Sequence, residues 1–106
     1  MISEETIQAA IHRIVATANP SKVILFGSYA RGDADEGSDL DFMVIDPHVE
    51  NVGEEMVRLR AAVGDVGAGV DVLVYSEAEF ERRSQVPGTV LYWAKKEGKM
   101  LYNASS

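Results

Sequence analysis

The sequence predicts a small α/β (α+β) domain in which helices pack on one mixed β-sheet. Three observations carry that expectation. Apolar positions at helical spacing alternate with short apolar runs of strand length, in the order helix, strand, strand, helix, strand, helix, helix. The chain has 106 residues, one domain's worth. Hydrophobic residues make up 46% and charged residues 25%, ordinary globular usage that supports a single core, and no repeat or linker divides the chain. The domain is expected over residues 1–102, with 103–106 as a tail.

Each element has its own signal. Ser3 is placed to cap a first helix, with Glu4 and Glu5 near its positive end. Ile7, Ala10, Ile11, Ile14, Val15 and Ala18 then recur at helical spacing until Asn19-Pro20 stops the run. "KVILF" reads as a strand ending at Gly27, "GDADEGS" as a polar loop, and "DLDFMVI" as a second strand bounded by Asp46-Pro47. Val52, Met56, Leu59 and Val63 mark a second helix that runs into the turn "GDVGAG", and "VDVLVY" is a third strand. Ser76 and Glu79 have capping-box spacing and open a helix through about Arg83, which "VPG" breaks. Val90, Leu91, Trp93 and Ala94 suggest a last helix closed by Gly98, and "KMLY" a short final strand.

Charge and composition exclude several classes. A net charge of −7 suits a basic partner or a metal site and is wrong for gripping a nucleic-acid backbone, where Lys and Arg supply the affinity. With no cysteine there is no disulfide, thiolate metal site or Cys nucleophile. The first twenty residues are acidic early and contain no unbroken apolar block, so they do not read as a signal peptide. No run reaches the ~18 apolar residues of a membrane span. The cytoplasm is the expected location, and the "NAS" at Asn103 is a chance match to a glycosylation acceptor.

The chemistry concentrates between Leu25 and Asp46, "LFGSYARGDADEGSDLDFMVID". Gly27 and Gly32 have P-loop spacing, but Asp33 and Ala34 stand where Lys and Ser/Thr belong. A calcium loop starting at Asp33 fails as well, because its sixth position is Ser38 and its twelfth is Val44. What remains is a strand that ends at Phe26, a glycine that lets backbone approach a ligand, and Ser28 at a helix start. Backbone N–H groups and a hydroxyl at such a turn can hold phosphate oxygen. Strand alternation puts Asp39 and Asp41 on one face. Two neighbouring carboxylates repel, one of them tends to keep its proton, and a divalent cation such as Mg²⁺ removes the conflict. Asp71 interrupts a third apolar strand, where a buried carboxylate is costly unless it is paired or binds metal. If the strands are neighbours, three carboxylates converge at one sheet edge, opposite a phosphate cradle.

Gly27-Ser28, ten residues, then Asp39-Leu40-Asp41 is the G-S-x10-D-x-D signature, and through it the chain resembles the nucleotidyltransferases similar to DNA polymerase beta. Asp71 matches that family's third carboxylate. The short length, "ARG" after "GSY" and the ending "KKEGKMLY" resemble the minimal nucleotidyltransferases, the antitoxin half of pairs whose toxin is a HEPN-domain protein. The resemblance implies a polymerase beta-like core. It implies that Asp39 and Asp41 bind two Mg²⁺ ions, and that Asp71 binds one and helps deprotonate the incoming hydroxyl. Gly27 and Ser28 would hold the triphosphate of ATP or another NTP. Arg31 is assigned to steadying that triphosphate, with a plain surface charge as the alternative. The implied reaction is adenylylation of a tyrosine on the HEPN toxin, with no nucleic-acid acceptor and no membrane. Two other functions stay open: an antitoxin that neutralises its partner by complex formation alone, and nucleotidyl transfer to a small molecule.

The remaining candidates read as structure. His12 is assigned to a helix surface and His48 to a turn. Arg82, Arg83, Lys95, Lys96 and Lys99 form a basic last quarter, read as a solvated face that could also dock an acidic partner. Tyr92 and Trp93 are expected in the core rather than as a base-stacking platform, and Asp33, Asp35, Glu36 and Asp46 as loop and turn charge.

Overall fold

A computed structural model of the chain describes residues 1–105. The elements, in order, are α1 (Glu4–Ala18), β1 (Lys22–Phe26), α2 (Ser28–Arg31), β2 (Leu40–Asp46), α3 (Val52–Val63), β3 (Val70–Ser76), α4 (Glu77–Arg83), α5 (Val90–Glu97) and β4 (Lys99–Asn103). The local signals act where they were expected. The Ser3 side chain accepts from the Thr6 N–H, and Asn19 closes α1 in the left-handed region at φ 48. Ser76 accepts from the Glu79 N–H, and the Glu79 carboxylate turns to Arg82 and Arg83. Gly98 closes α5, its N–H donating to the Ala94 carbonyl at 2.9 Å. Its φ is an ordinary −74, so glycine is needed there for space: a Cβ would strike the Ala94 and Leu25 carbonyls and the Ile24 side chain.

The four strands form one sheet in the order β3-β2-β1-β4. β1 pairs antiparallel with β2 and with β4, whereas β2 and β3 are parallel, joined through α3 as a parallel pair requires. Strand alternation sorts the side chains. Val23, Leu25, Phe42, Val44, Val72 and Val74 face α1 and α3, where Ile7, Ile11, Ile14 and Leu59 complete the main core. Ile24, Met43 and Ile45 face the other way, under Phe80 of α4 and Leu91 and Ala94 of α5. Each such fully buried side chain contributes roughly 1.5–3 kcal/mol.

This topology positions the site. Antiparallel pairing sets the end of β1 beside the start of β2, with Phe26 opposite Asp41. Parallel pairing sets the start of β3 there too, with Asp71 opposite Asp41. Asp41 shares the α4/α5 face of the sheet with Met43 and Ile45.

Three readings need correction. Asp46 is not turn charge: it is the last residue of β2 and only 4% exposed. Trp93 is not in the core, being 46% exposed. β4 reaches Asn103, and the Ala104 N–H donates to the Ser21 carbonyl, so pairing enters the segment expected as tail. Ser106, also placed in that tail, lies outside the described residues. Among the described residues no helix is long and apolar enough to cross a membrane.

Candidate active site

Gly27 sits at the junction of β1 and α2, at φ 76 and ψ −156, a conformation that side chains other than glycine's rarely adopt. Its carbonyl accepts from the N–H groups of Ala30 and Arg31, both at 3.1 Å, and so folds the short helix back on the turn. Ser28, the first residue of α2, is half-buried, and its hydroxyl takes no part in those bonds. There is a second reason for glycine at 27. A Cβ there would occupy the place of the Asp41 carboxylate, so the turn and β2 are packed backbone against side chain.

Asp41 lies in β2, Asp39 immediately before it, and Asp71 in β3. The register brings Asp41 and Asp71 face to face. The Asp41 carboxyl is pushed up from 3.8 to about 6. Burial is the largest cause, followed by the negative charges of Asp71 and Asp39, with Arg31 acting weakly the other way. The conflict expected of neighbouring carboxylates is therefore present, and Asp41 carries it. Asp71 departs from its expectation in one respect. It is exposed, on an edge strand, so no burial cost forces it into a pair. Arg13 donates to the Val63 carbonyl at 3.2 Å.

Asp39 is held by a residue that sequence reasoning missed. Gly69 precedes β3 as Asp39 precedes β2, its carbonyl accepts from the Leu40 N–H at 2.9 Å, and a Cβ on it would strike the Asp39 carboxylate. The signal was available: aligning "SDLDF" with "AGVDV" as parallel neighbours sets Asp39 beside Gly69 and Asp41 beside Asp71. Arg31 is partly exposed, lies 3.3 Å from Asp33 through its Nε, and lines a groove with Phe26 and Gly27. The far bank of that groove is Gly88, Val90, Trp93 and Glu97, and its volume is about 630 Å³. Six assigned residues thus meet at one end of the sheet: Gly27, Ser28 and Arg31 on one side, Asp39, Asp41 and Asp71 on the other.

The family model of the nucleotidyltransferase domain matches residues 9–87, a span that holds all six. The chain belongs to that family. It is a nucleotidyltransferase. The Methanocaldococcus jannaschii protein named "Putative protein adenylyltransferase MJ0604" is 33% identical over 87 residues, covering 76% of this chain and 77% of its own. The fold is shared with a nucleotidyltransferase-type crystal structure from Sulfolobus solfataricus, at TM-score 0.67 and 20% identity over 96% of this chain and 81% of that one. It is also shared with a toxin–antitoxin crystal structure containing AMP-PNP, at TM-score 0.58 and 22% identity over 91% and 73% of the two chains. A mutant of the MntA-HpeT toxin–antitoxin pair matches at TM-score 0.57 and 21% identity, over 97% and 74%.

The donor set suits a hard divalent cation: carboxylate oxygens, with Asp41 and Asp39 each pressed against a glycine that leaves no Cβ in the way. Among the described residues no three such groups already enclose a common point.

Proposed function

We propose that this nucleotidyltransferase moves AMP from ATP to a protein hydroxyl, a tyrosine of a HEPN-domain toxin, and so acts as the antitoxin of that pair in the cytoplasm. The observation that carries this reading is the meeting of Asp39, Asp41 and Asp71 at the sheet end where Gly27-Ser28 turns into α2. The name of the Methanocaldococcus jannaschii relative supports a protein acceptor, and the toxin–antitoxin structures support the partner class. The net charge of −7 argues against a nucleic-acid acceptor.

Each group has a task in this reading. Backbone N–H groups at Gly27-Ser28 and the Ser28 hydroxyl hold the triphosphate, and Arg31 steadies it from the groove side. Asp39, Asp41 and Asp71 would hold Mg²⁺, which when bound would supply positive charge to neutralise the phosphates and stabilise the attacking and leaving oxygens. Asp71, the exposed carboxylate, takes the proton of the acceptor hydroxyl. The hydroxyl oxygen then bonds the α-phosphorus, the bond from that phosphorus to the β-phosphate oxygen breaks, and pyrophosphate leaves.

The test mixes the protein, ATP labelled at the α-phosphate, Mg²⁺ and the HEPN partner. Labelled AMP on the partner that disappears in Asp39→Asn and in Asp41→Asn is the expected result. If those variants label the partner as well as wild type does, the assignment fails. If they silence the toxin without labelling it, the domain works by binding alone.

A further inference from the structure

The groove beside the carboxylates has two unlike banks. Phe26, Gly27 and Arg31 belong to the proposed triphosphate side. The other bank is one face of α5: Val90, Trp93 and Glu97 follow at i, i+3 and i+7, while Leu91 and Ala94 of the same helix are buried in the core. Core packing therefore does not account for the indole, which is 46% exposed. The ring is nevertheless held in place. Tyr92 meets it edge-on, with centroids 5.2 Å apart at 87°, and the Lys96 ammonium stands 5.8 Å from its centroid. A braced, solvent-facing indole in a concave groove of about 630 Å³ is a stacking surface of small-molecule size.

We infer that Trp93 is the platform on which the nucleobase of the NTP stacks, an affinity element outside the matched family span, which ends at residue 87. The inference rests on the proposed NTP reading and extends it. Continuity selects the occupant, because Gly27 and Arg31 line the same groove that Trp93 closes, so one molecule can hold both ends. Arg31 stands beside the Gly27 turn and attracts the phosphates to that end of the groove. Stacking on an aromatic face tolerates every base, so Trp93 supplies affinity for a base as such.

Trp93 is the only tryptophan of the chain, so its emission reports directly on the groove. The experiment titrates the purified full chain with ATP and, separately, with inorganic tripolyphosphate, reading tryptophan fluorescence and, by calorimetry, the Kd. Trp93→Phe and Trp93→Ala are titrated by calorimetry. ATP is expected to quench the emission, whereas tripolyphosphate binds without doing so. Trp93→Ala is expected to weaken ATP by about tenfold while leaving tripolyphosphate within about twofold, and Trp93→Phe to recover most of the loss. ATP binding with unchanged emission, an unchanged Kd in Trp93→Ala, or equal weakening of ATP and tripolyphosphate overturns the platform and leaves the proposed function standing. If neither ATP nor tripolyphosphate binds wild type, the proposed function falls and the platform with it.

Discussion

At the scale of single residues, two glycines matter as much as the carboxylates they touch. Gly27 and Gly69 are needed for different reasons. Gly27 has φ 76 and abuts Asp41, whereas Gly69 has no positive φ and only abuts Asp39. Alanine at 69 therefore separates catalysis from folding. We expect Gly69→Ala to cut nucleotidyl transfer by at least about tenfold, because the new methyl displaces the Asp39 carboxylate, while stability falls by only about 1 kcal/mol. Alanine at 27 carries the same displacement at Asp41 plus a backbone penalty of about 1–3 kcal/mol, because φ 76 and ψ −156 lie in a region that is essentially glycine's alone. Parallel assays of transfer and urea unfolding check both, and full transfer by Gly69→Ala would show that Asp39 needs no such support. Ser28→Ala should weaken NTP use without unfolding the domain, since no bond that holds α2 passes through the hydroxyl. Unchanged kinetics in that variant would remove Ser28 from the site.

At the scale of elements, the second layer is the sensitive part. α4 and α5 cover their sheet face with few buried side chains, chiefly Phe80, Leu91 and Ala94, so their ends count. Removing the α4 cap with Ser76→Ala should cost about 1 kcal/mol. Gly98→Ala should cost more, about 2 kcal/mol or above, because its Cβ enters backbone and the Ile24 side chain where α5 turns into β4. Denaturant midpoints of the two variants test that order, and the reverse order would mean that the corner can relax. Elements were legible in the sequence because their signals are local: Ser3 and Ser76 cap, Asn19 and Gly98 stop, and strands begin where short apolar runs begin. The D-x-D and Gly-Ser pairs were legible for the same reason. What was not legible depends on pairing between strands and on layer coverage. Gly69 acquires meaning only when β2 and β3 are set parallel in register. Trp93 and Asp46 were misread because burial of a helix or strand position depends on what the neighbouring layer covers, which apolar spacing alone does not tell.

At the scale of the whole molecule, the acidic balance leaves one carboxylate in a place that charge cannot tolerate. Asp46 is 4% exposed at the end of β2 opposite the site, and its Oδ1 has no hydrogen-bond partner among the described residues. Arg58, whose charge acts on it, is already engaged with both oxygens of Glu55, through Nε at 2.7 Å and Nη2 at 3.0 Å. Burial above all, then the Glu55 charge, raises the Asp46 carboxyl to about 6, against a weaker opposing effect of Arg58. The folded chain thus keeps a proton between about pH 4 and pH 6 that the unfolded chain has already lost. The stability this proton confers is fully present below the unfolded value of 3.8 and is lost as pH rises through 6. A shift of that size corresponds to on the order of 2–3 kcal/mol. Asp41 titrates over the same range, so the contribution of Asp46 is read as the difference in unfolding free energy between wild type and Asp46→Asn, which carries no charge at either end. That difference should move in favour of the variant by about 2 kcal/mol between pH 4 and pH 7.5 and stay level above that. Urea unfolding at four pH values across the range measures it. A difference that does not change with pH would mean that Asp46 is ionised in the folded chain throughout, with its charge met by solvent or by a reoriented Arg58.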